Sequence, residues 1–377
     1  MSQRPALVAL AALSVVLAGC ANAVGSGPPS PRPSSVGSSA PAAPTTTPSS
    51  PSPTATPLPA TITLAFGGDI HFTDYLAPLA ADPEGLASLQ STLGAADLSM
   101  ANLETAITTG GRQIPKEFHF RAPASALQSL AGAGIDVVTM ANNHGVDYGP
   151  TGLADTLAAK RTSPIPIVGI GADATEAFAP ATFTVGGVRI AVFGADQVFD
   201  ITLAQYHATA TTGGVAASSP VTRLREAVAA AHRRFDLVVV YLHWGDDYQS
   251  CPRSLDTSTA RTLEAAGADI VVGSHSHRVN GAGWLGKAYV DYGLGNFVWW
   301  RSHEPDSRSG VLTLTVDAAA ARASRDRSRS VVTAARWTPM LIGSDGIPAV
   351  PDPTDAARLH SLWAQARGCS GLAARPS

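Results

Sequence analysis

Short apolar runs that each give way to metal-ligating residue types constrain this chain more than any other feature. The runs are Ile62–Phe66, Val137–Met140, Arg189–Phe193, Leu237–Leu242, Ile270–Val272 and Tyr289–Val290. Alanine-rich segments of helical character lie between them, at Ala124–Gly132, Gly152–Lys160, Thr222–Arg233 and Thr257–Ala266. A continuous apolar run fits a strand covered on both faces, and its alternation with helices predicts an α/β fold. Further on, Gly310–Val316 and Val331–Trp337 read as half-buried strands with no long helix between them, which predicts an antiparallel C-terminal portion. With 45% hydrophobic and 15% charged residues, the 377-residue chain can bury a sizeable core. Its formal net charge of −3 carries no bulk basic signal, so no nucleic-acid partner is expected.

The residues at the end of each run point to the chemistry. Asp69 and His71 come after the first run, Asn143 and His144 after the second, and His243 after Leu237–Leu242. His275 and His277 succeed Ile270–Val272, Asn296 lies in the turn after Asp291, and Leu98–Met100 leads into Asn102 and Glu104. In open α/β sheets, ligands bind beyond the carboxyl ends of the strands. Five of the chain's ten histidines, His71, His144, His243, His275 and His277, stand at such ends. Any one of them is most simply a satisfied loop residue. Taken together with Asp69, Glu104 and Asn143 they form a mixed oxygen and nitrogen donor set, which suits Zn, Mn, Fe or a similar divalent ion. No cysteine contributes, so a structural thiolate zinc site is excluded. The inventory is large enough for two metals sharing a carboxylate.

The first residues read as a targeting segment. Arg4 precedes the apolar stretch Ala6 to Ala18, which is too short for a membrane span and has the length of a signal-peptide core. It ends in LAGC, which resembles the lipobox of bacterial lipoproteins; that resemblance implies cleavage after residue 19 and a lipid on Cys20. Residues 20–60 are rich in Pro, Ser, Thr and Ala, with too little bulky apolar surface to fold, and are expected to tether the domain to a membrane from outside. A folded domain is expected over residues 61–345 and a tail over 346–377. Outside the cytoplasm, Cys251 and Cys369 can pair as a disulfide that ties this tail to the loop after His243.

The motifs FGGDI, ANLET, EFHFRAP, MANNHGVDYG, YLHWGDDY, GSHSH and GLGNFVW occur in this order. Over roughly Thr61 to Ile342 the chain thereby resembles the CapA family of capsule-polymer biosynthesis proteins. The resemblance implies a calcineurin-like metallophosphoesterase fold with a layered α/β/β/α core and two divalent metal ions. It implies that Asp69 binds the first metal, joined by His71 as the second member of a D-x-H pair and by His277. Glu104 would bridge the two ions, Asn143, His243 and His275 would hold the second, and His144 would be the general acid. His71 departs from the many members with an apolar residue there, Ser276 stands where Pro is common, and WGDDY has Asp where Glu is usual.

Ligating imidazoles need acceptors on their other nitrogens. Asp147, Asp246 and Asp247 can serve, or can be solvated loop acids. Arg121 either binds an anionic substrate or makes a structural salt bridge. Asn296 either orients a ligand or caps its turn, and Trp299 and Trp300 either rim the site or are buried against the tail. The run Ala321–Ser330 reads as a solvated hairpin loop. The resemblance implies a lipid-anchored accessory protein that works with membrane synthesis machinery on a glutamate polymer of the cell envelope. The alternatives are an exported phosphatase or phosphodiesterase and a non-catalytic polymer-binding module.

Overall fold

The computed structural model describes residues 57–324 and 328–376. The expected signal peptide, Cys20 and nearly all of the tether lie outside the described residues, as does part of the Ala321–Ser330 run. No described helix is long and apolar enough to cross a membrane.

The apolar runs become the centres of two sheets. In the first, the parallel strands Thr61–Ile70, Leu98–Leu103, Val137–Thr139 and Ile167–Val168 lie side by side. Arg308–Asp317 and Val332–Ile342 extend that sheet in antiparallel register on the other side of Thr61–Ile70. In the second sheet, Val188–Asp196, Leu237–Trp244, Ile270–His275 and Ala288–Asp291 are parallel, with Ala181–Val185 and Ala282–Leu285 as antiparallel edges.

Alternation along the strands sends side chains to both faces of each sheet. Ile62, Leu64 and Phe66 meet Val239, Tyr241 and Val272 between the sheets. Ala65, Ala101 and Val138 face outward, against Leu127 and Leu130 of the helix Ala126–Gly132 and Leu153 of the helix Gly149–Thr162. On the far side, Val238, Val240 and Val271 pack on Leu224 and Val228 of the helix Thr222–His232 and on Leu263 of the helix Ser254–Ala266. The order is helix, sheet, sheet, helix, so the chain has a layered α/β/β/α core. Full burial of each Leu, Val or Ile contributes about 1.5–3 kcal/mol, so these three apolar layers hold the architecture.

The strands extend beyond the apolar runs that predict them. Asp69, Asn102, His243 and His275 lie within strands rather than in the loops after them. Side chains on strands are held more firmly than on loops, because the ladder fixes the backbone on both sides. Gly68 illustrates how tight the packing is. A Cβ there would come 1.8 Å from the carbonyl oxygen of Gly295, and the next residue, Asp69, donates its N–H to that same oxygen at 3.0 Å. Only a glycine lets the GLGNF turn approach this closely.

The C-terminal segment is more than a tail. It contains the helix Pro353–Ala366, whose N-cap Asp352 accepts from the N–H groups of Thr354 and Asp355 and whose first residue is Pro. Leu359, Leu362, Trp363 and Ala366 recur at helical spacing, and Trp363 stacks on Trp337 at 5.6 Å. Arg358 reaches Glu304, and Cys251 is disulfide-bonded to Cys369.

One buried acid in this frame lies apart from the strand-end cluster. Asp291 closes the strand that carries Tyr289, and burial pushes its carboxyl up to about 7. The native state therefore keeps a proton that the unfolded chain releases near pH 4. Stability from this group is complete below about pH 4 and falls as pH rises to about 7. At about 1.4 kcal/mol per pH unit, the loss is at most about 4 kcal/mol. Asp291→Asn is expected to flatten the decline, measured as urea unfolding midpoints at pH 5 and pH 8.

Candidate metal centre

The carboxyl ends of the parallel strands from both sheets meet at one edge of the core. Asp69 comes from Thr61–Ile70, Glu104 follows Leu98–Leu103, Asn143 and His144 follow Val137–Thr139, and His243 lies near the end of Leu237–Trp244. His275 ends Ile270–His275, with His277 two residues on. These residues are far apart in sequence, and the two sheets converge to bring them together.

Asp69, Glu104 and His243 are all fully buried, and one potential ligand atom from each lies within 4.8 Å of the others. Glu104 is the decisive member. Both of its carboxylate oxygens are buried without a hydrogen-bond donor. Burial, then the Asp69 charge, pushes its carboxyl well above the usual range. Its Oε1 faces two imidazole nitrogens instead, His144 Nε2 at 3.7 Å and His243 Nε2 at 3.8 Å. Burying a carboxylate without donors costs several kcal/mol, so this arrangement fits a cation that both oxygens and the imidazoles can share. Burial and neighbouring histidines hold His243 and His275 well below the ordinary imidazole range, and the neutral ring is the form that ligates metal.

Hydrogen bonds sort the nitrogens by role. Asp69 Oδ1 accepts from Asn102 Nδ2 at 2.8 Å, and its Oδ2 accepts from the backbone N–H of His275 at 3.1 Å. His275 Nε2 lies 3.3 Å from the Asp247 carboxylate, and its Nδ1 is buried without a hydrogen-bond partner. His277 Nδ1 donates to Asn296 Oδ1 at 2.8 Å. The orientation of that amide is fixed because Asn296 Nδ2 donates to the carbonyl of Asp306. His277 Nε2 is therefore the free lone pair. His243 Nε2 lies 2.9 Å from Asn143 Oδ1. His243 Nδ1 lies 3.2 Å from both Asn102 Nδ2 and Ser274 Oγ.

His144 differs from the rest. Its Nδ1 donates to Asp147 Oδ2 at 2.6 Å, and Asp147 is held in turn by the backbone N–H of Phe120 and by Lys116 at 3.0 Å. Nε2 is thereby turned toward Glu104 and the cavity. This orientation by a buried carboxylate is the geometry of an imidazole that handles protons.

The structure does not bring every expected residue into the group. His71 is buried in a box of Phe120, Trp299 and Trp300, with ring centroids 4.4, 4.3 and 4.8 Å away. Its Nδ1 accepts from the N–H of Thr73 at 3.1 Å, and burial holds the ring neutral, so Nε2 carries the proton. That nitrogen is buried and meets no hydrogen-bond partner. Arg121 lies exposed with its guanidinium 4.8 Å from the ring centre of Tyr148, outside the cavity. Asp246 pairs with Arg253 on the surface. Trp299 is buried while Trp300 is half-buried.

Sequence reasoning missed Lys116. It precedes the EFHFRAP motif, lines the cavity, and reaches Asp147, Asp200 and the backbone oxygen of Asn143. A lysine beside an aromatic motif had no spacing signal to mark it. Backbone conformation supplies a further signal absent from sequence. Tyr248, His275 and His277 all have positive φ, at 63, 98 and 53°. Such conformations cost about 1–3 kcal/mol each and gather at functional sites.

Residues 63–299 match the family model described as bacterial capsule synthesis protein PGA_cap, which takes in more than half of the chain. The chain belongs to this family. The PGA biosynthesis protein CapA of Bacillus subtilis is 30% identical over 254 residues, covering 64% of this chain and 66% of that protein. The capsule biosynthesis protein CapA of Bacillus anthracis is 32% identical over 191 residues, covering 50% of this chain and 46% of that protein. The chain thus matches less than two thirds of the length of either relative. The sulfate thiohydrolase SoxB of Thermus thermophilus aligns with 80% of this chain and 60% of its own at 12% identity, with a TM-score of 0.44. The PGA_cap match takes in every member of the cluster, from Asp69 to Asn296.

Proposed function

We propose that this chain is a metal-dependent hydrolase or transferase acting in the biosynthesis, export or anchoring of a glutamate polymer of the cell envelope. The polymer assignment rests on membership of the PGA_cap family. The metal assignment is carried by one observation, the buried Glu104 carboxylate that meets no donor and faces His144 and His243. In this reading Asp69, Glu104 and His277 hold one divalent ion, and Glu104, Asn143, His243 and His275 a second, with Mn, Zn or Fe all compatible with such donors. His71 orients the site from its aromatic box. The chain is held outside the cytoplasmic membrane by a lipid on Cys20, close to membrane-bound polymer-synthesis machinery.

When bound, divalent ions polarise a phosphoryl or carbonyl oxygen and lower the pKa of a water. The protein's own groups do the rest. Asp147 holds the Nδ1 proton of His144, so Nε2 gives or takes the proton of a leaving group. Lys116 balances the Asp147 charge, and Phe120, stacked on His144 at 4.1 Å, keeps water from that face. Asn296 turns the lone pair of His277 away from itself. A phosphoester is the substrate best matched to this set, because a two-ion clamp and a proton donor stabilise both the entering and the leaving oxygen.

Glu104→Gln tests the reading. The wild-type protein is expected to carry up to two equivalents of a transition metal by elemental analysis, and the variant to lose it. The same substitution replaces a buried acid that meets no donor and is driven toward its protonated form, so the metal-free variant is expected to be more stable than the metal-free wild type by about 1–3 kcal/mol. Wild-type protein that takes up no Mn, Zn or Fe would leave the non-catalytic polymer-binding module as the reading.

A further inference from the structure

The cavity over the centre has a wall that the metal chemistry does not use. It measures about 170 Å³ and is bounded on one side by Asn143, His144, His275 and His277. The other side is aromatic. Phe118 and Trp300 meet edge to face at 6.2 Å, and the buried Phe120 and Trp299 line the cavity with them. Tyr248 completes the mouth. Phe118 is 41% exposed and Tyr248 44% exposed, although both are large and apolar and stand at a cavity rather than in a core. Tyr248 is also held at φ 63°, a left-handed conformation that a bulky side chain rarely adopts, and its N–H donates to the carbonyl of Ser276 at 2.7 Å. The fold thus fixes an exposed ring at the mouth at a conformational cost.

Charge and size narrow what this wall receives. Both cations on it are held by carboxylates, Lys116 by Asp147 and Asp200, and Arg301 by Asp306. Asp247 and Glu117 add acid to the same lining. A polyanion finds no surplus of positive charge here. A cavity of about 150 Å³ holds one benzene ring, so about 170 Å³ is room for a single ring.

We infer that the site takes a small anion joined to one ring, with the anionic head at the metal centre and the ring against the aromatic residues of the lining, Phe118, Trp300 and Tyr248 among them. This inference rests on the metal-centre reading. It names as substrate class a ring-bearing phosphoryl compound rather than a linear polyanion. Stacking on such aromatic faces favours the ring over an alkyl group of equal charge by about tenfold.

The test is calorimetric binding of two non-hydrolysable probes, phenylphosphonate and methylphosphonate, to the metal-loaded protein. Phenylphosphonate is expected to bind about tenfold more tightly to the wild type. In the Phe118→Ala, Tyr248→Ala double variant that preference is expected to fall below about twofold, with methylphosphonate affinity unchanged as the control for an intact centre. Equal affinities in the wild type, or a preference that survives in the double variant, would overturn the aromatic subsite and leave the metal centre standing. Binding of neither probe would overturn the metal-centre reading, and this inference with it.

Discussion

Replacing His144 by Gln is expected to lower phosphoester turnover by about 10²–10⁴-fold while leaving the metal content unchanged. The expectation rests on geometry. His144 Nδ1 is committed to Asp147 at 2.6 Å, and Nε2 is directed at Glu104 and the cavity at 3.7 Å. Gln has nearly the reach of His and can still meet Asp147, but it cannot exchange a proton near neutral pH. The separation of two readouts decides the role. Loss of turnover with retained metal assigns proton transfer to His144. Loss of both would make it a ligand, and unchanged turnover would remove it from the chemistry. Asp147→Asn is the companion variant, because an amide oriented the wrong way would release the Nδ1 proton and misplace Nε2. It is expected to lower turnover with the metal retained. Bis(4-nitrophenyl) phosphate, assayed with each of Mn, Zn and Fe, gives a direct measurement.

Reduction of the Cys251–Cys369 disulfide is expected to destabilise the protein by about 4–5 kcal/mol in the chain-entropy limit, because the bond closes a loop with a sequence separation of 118. The native contacts that remain reduce the loss of order in the C-terminal segment. Trp363 still stacks on Trp337, and Arg358 still reaches Glu304. The effect should therefore appear mainly as a lower global unfolding midpoint. A Cys251→Ser, Cys369→Ser double variant, unfolded in guanidinium beside the oxidised wild type, gives the difference directly. A change below about 1 kcal/mol would mean that the unfolded chain is already held compact without the bond.

Several features were legible in the residues alone. The apolar runs marked the central strands, since only a strand covered on both faces can be apolar without interruption over so few residues. Placement of ligand-type residues at the ends of those runs marked the centre, because parallel strands present their carboxyl ends at one edge. The C-terminal helix Pro353–Ala366 has a signal too, in the spacing of Leu359, Leu362, Trp363 and Ala366, but the polar residues around that stripe hid it among the tail residues. The extension of the strands through Asp69, His243 and His275 was not legible, because those residues are polar and pattern reading ends a strand where apolar character ends.

Sequence by itself thus determined the α/β class, the residue types at the ends of the apolar runs and the family resemblance, which in turn implied the layered core. Periodicity records the first two, and the ordered motifs carry the third. Tertiary structure alone decided which nitrogen of each histidine is free. Asn296 and Asp147 make that choice for His277 and His144; the sequence offers both as candidates, and only the structure shows which ring each one meets. The same holds for His71, which the D-x-H spacing groups with Asp69. The Thr73 N–H on its Nδ1 and the box of Phe120, Trp299 and Trp300 set the direction of its ring. Ligand capacity belongs to a lone pair with a direction, and only the packing of distant segments sets that direction.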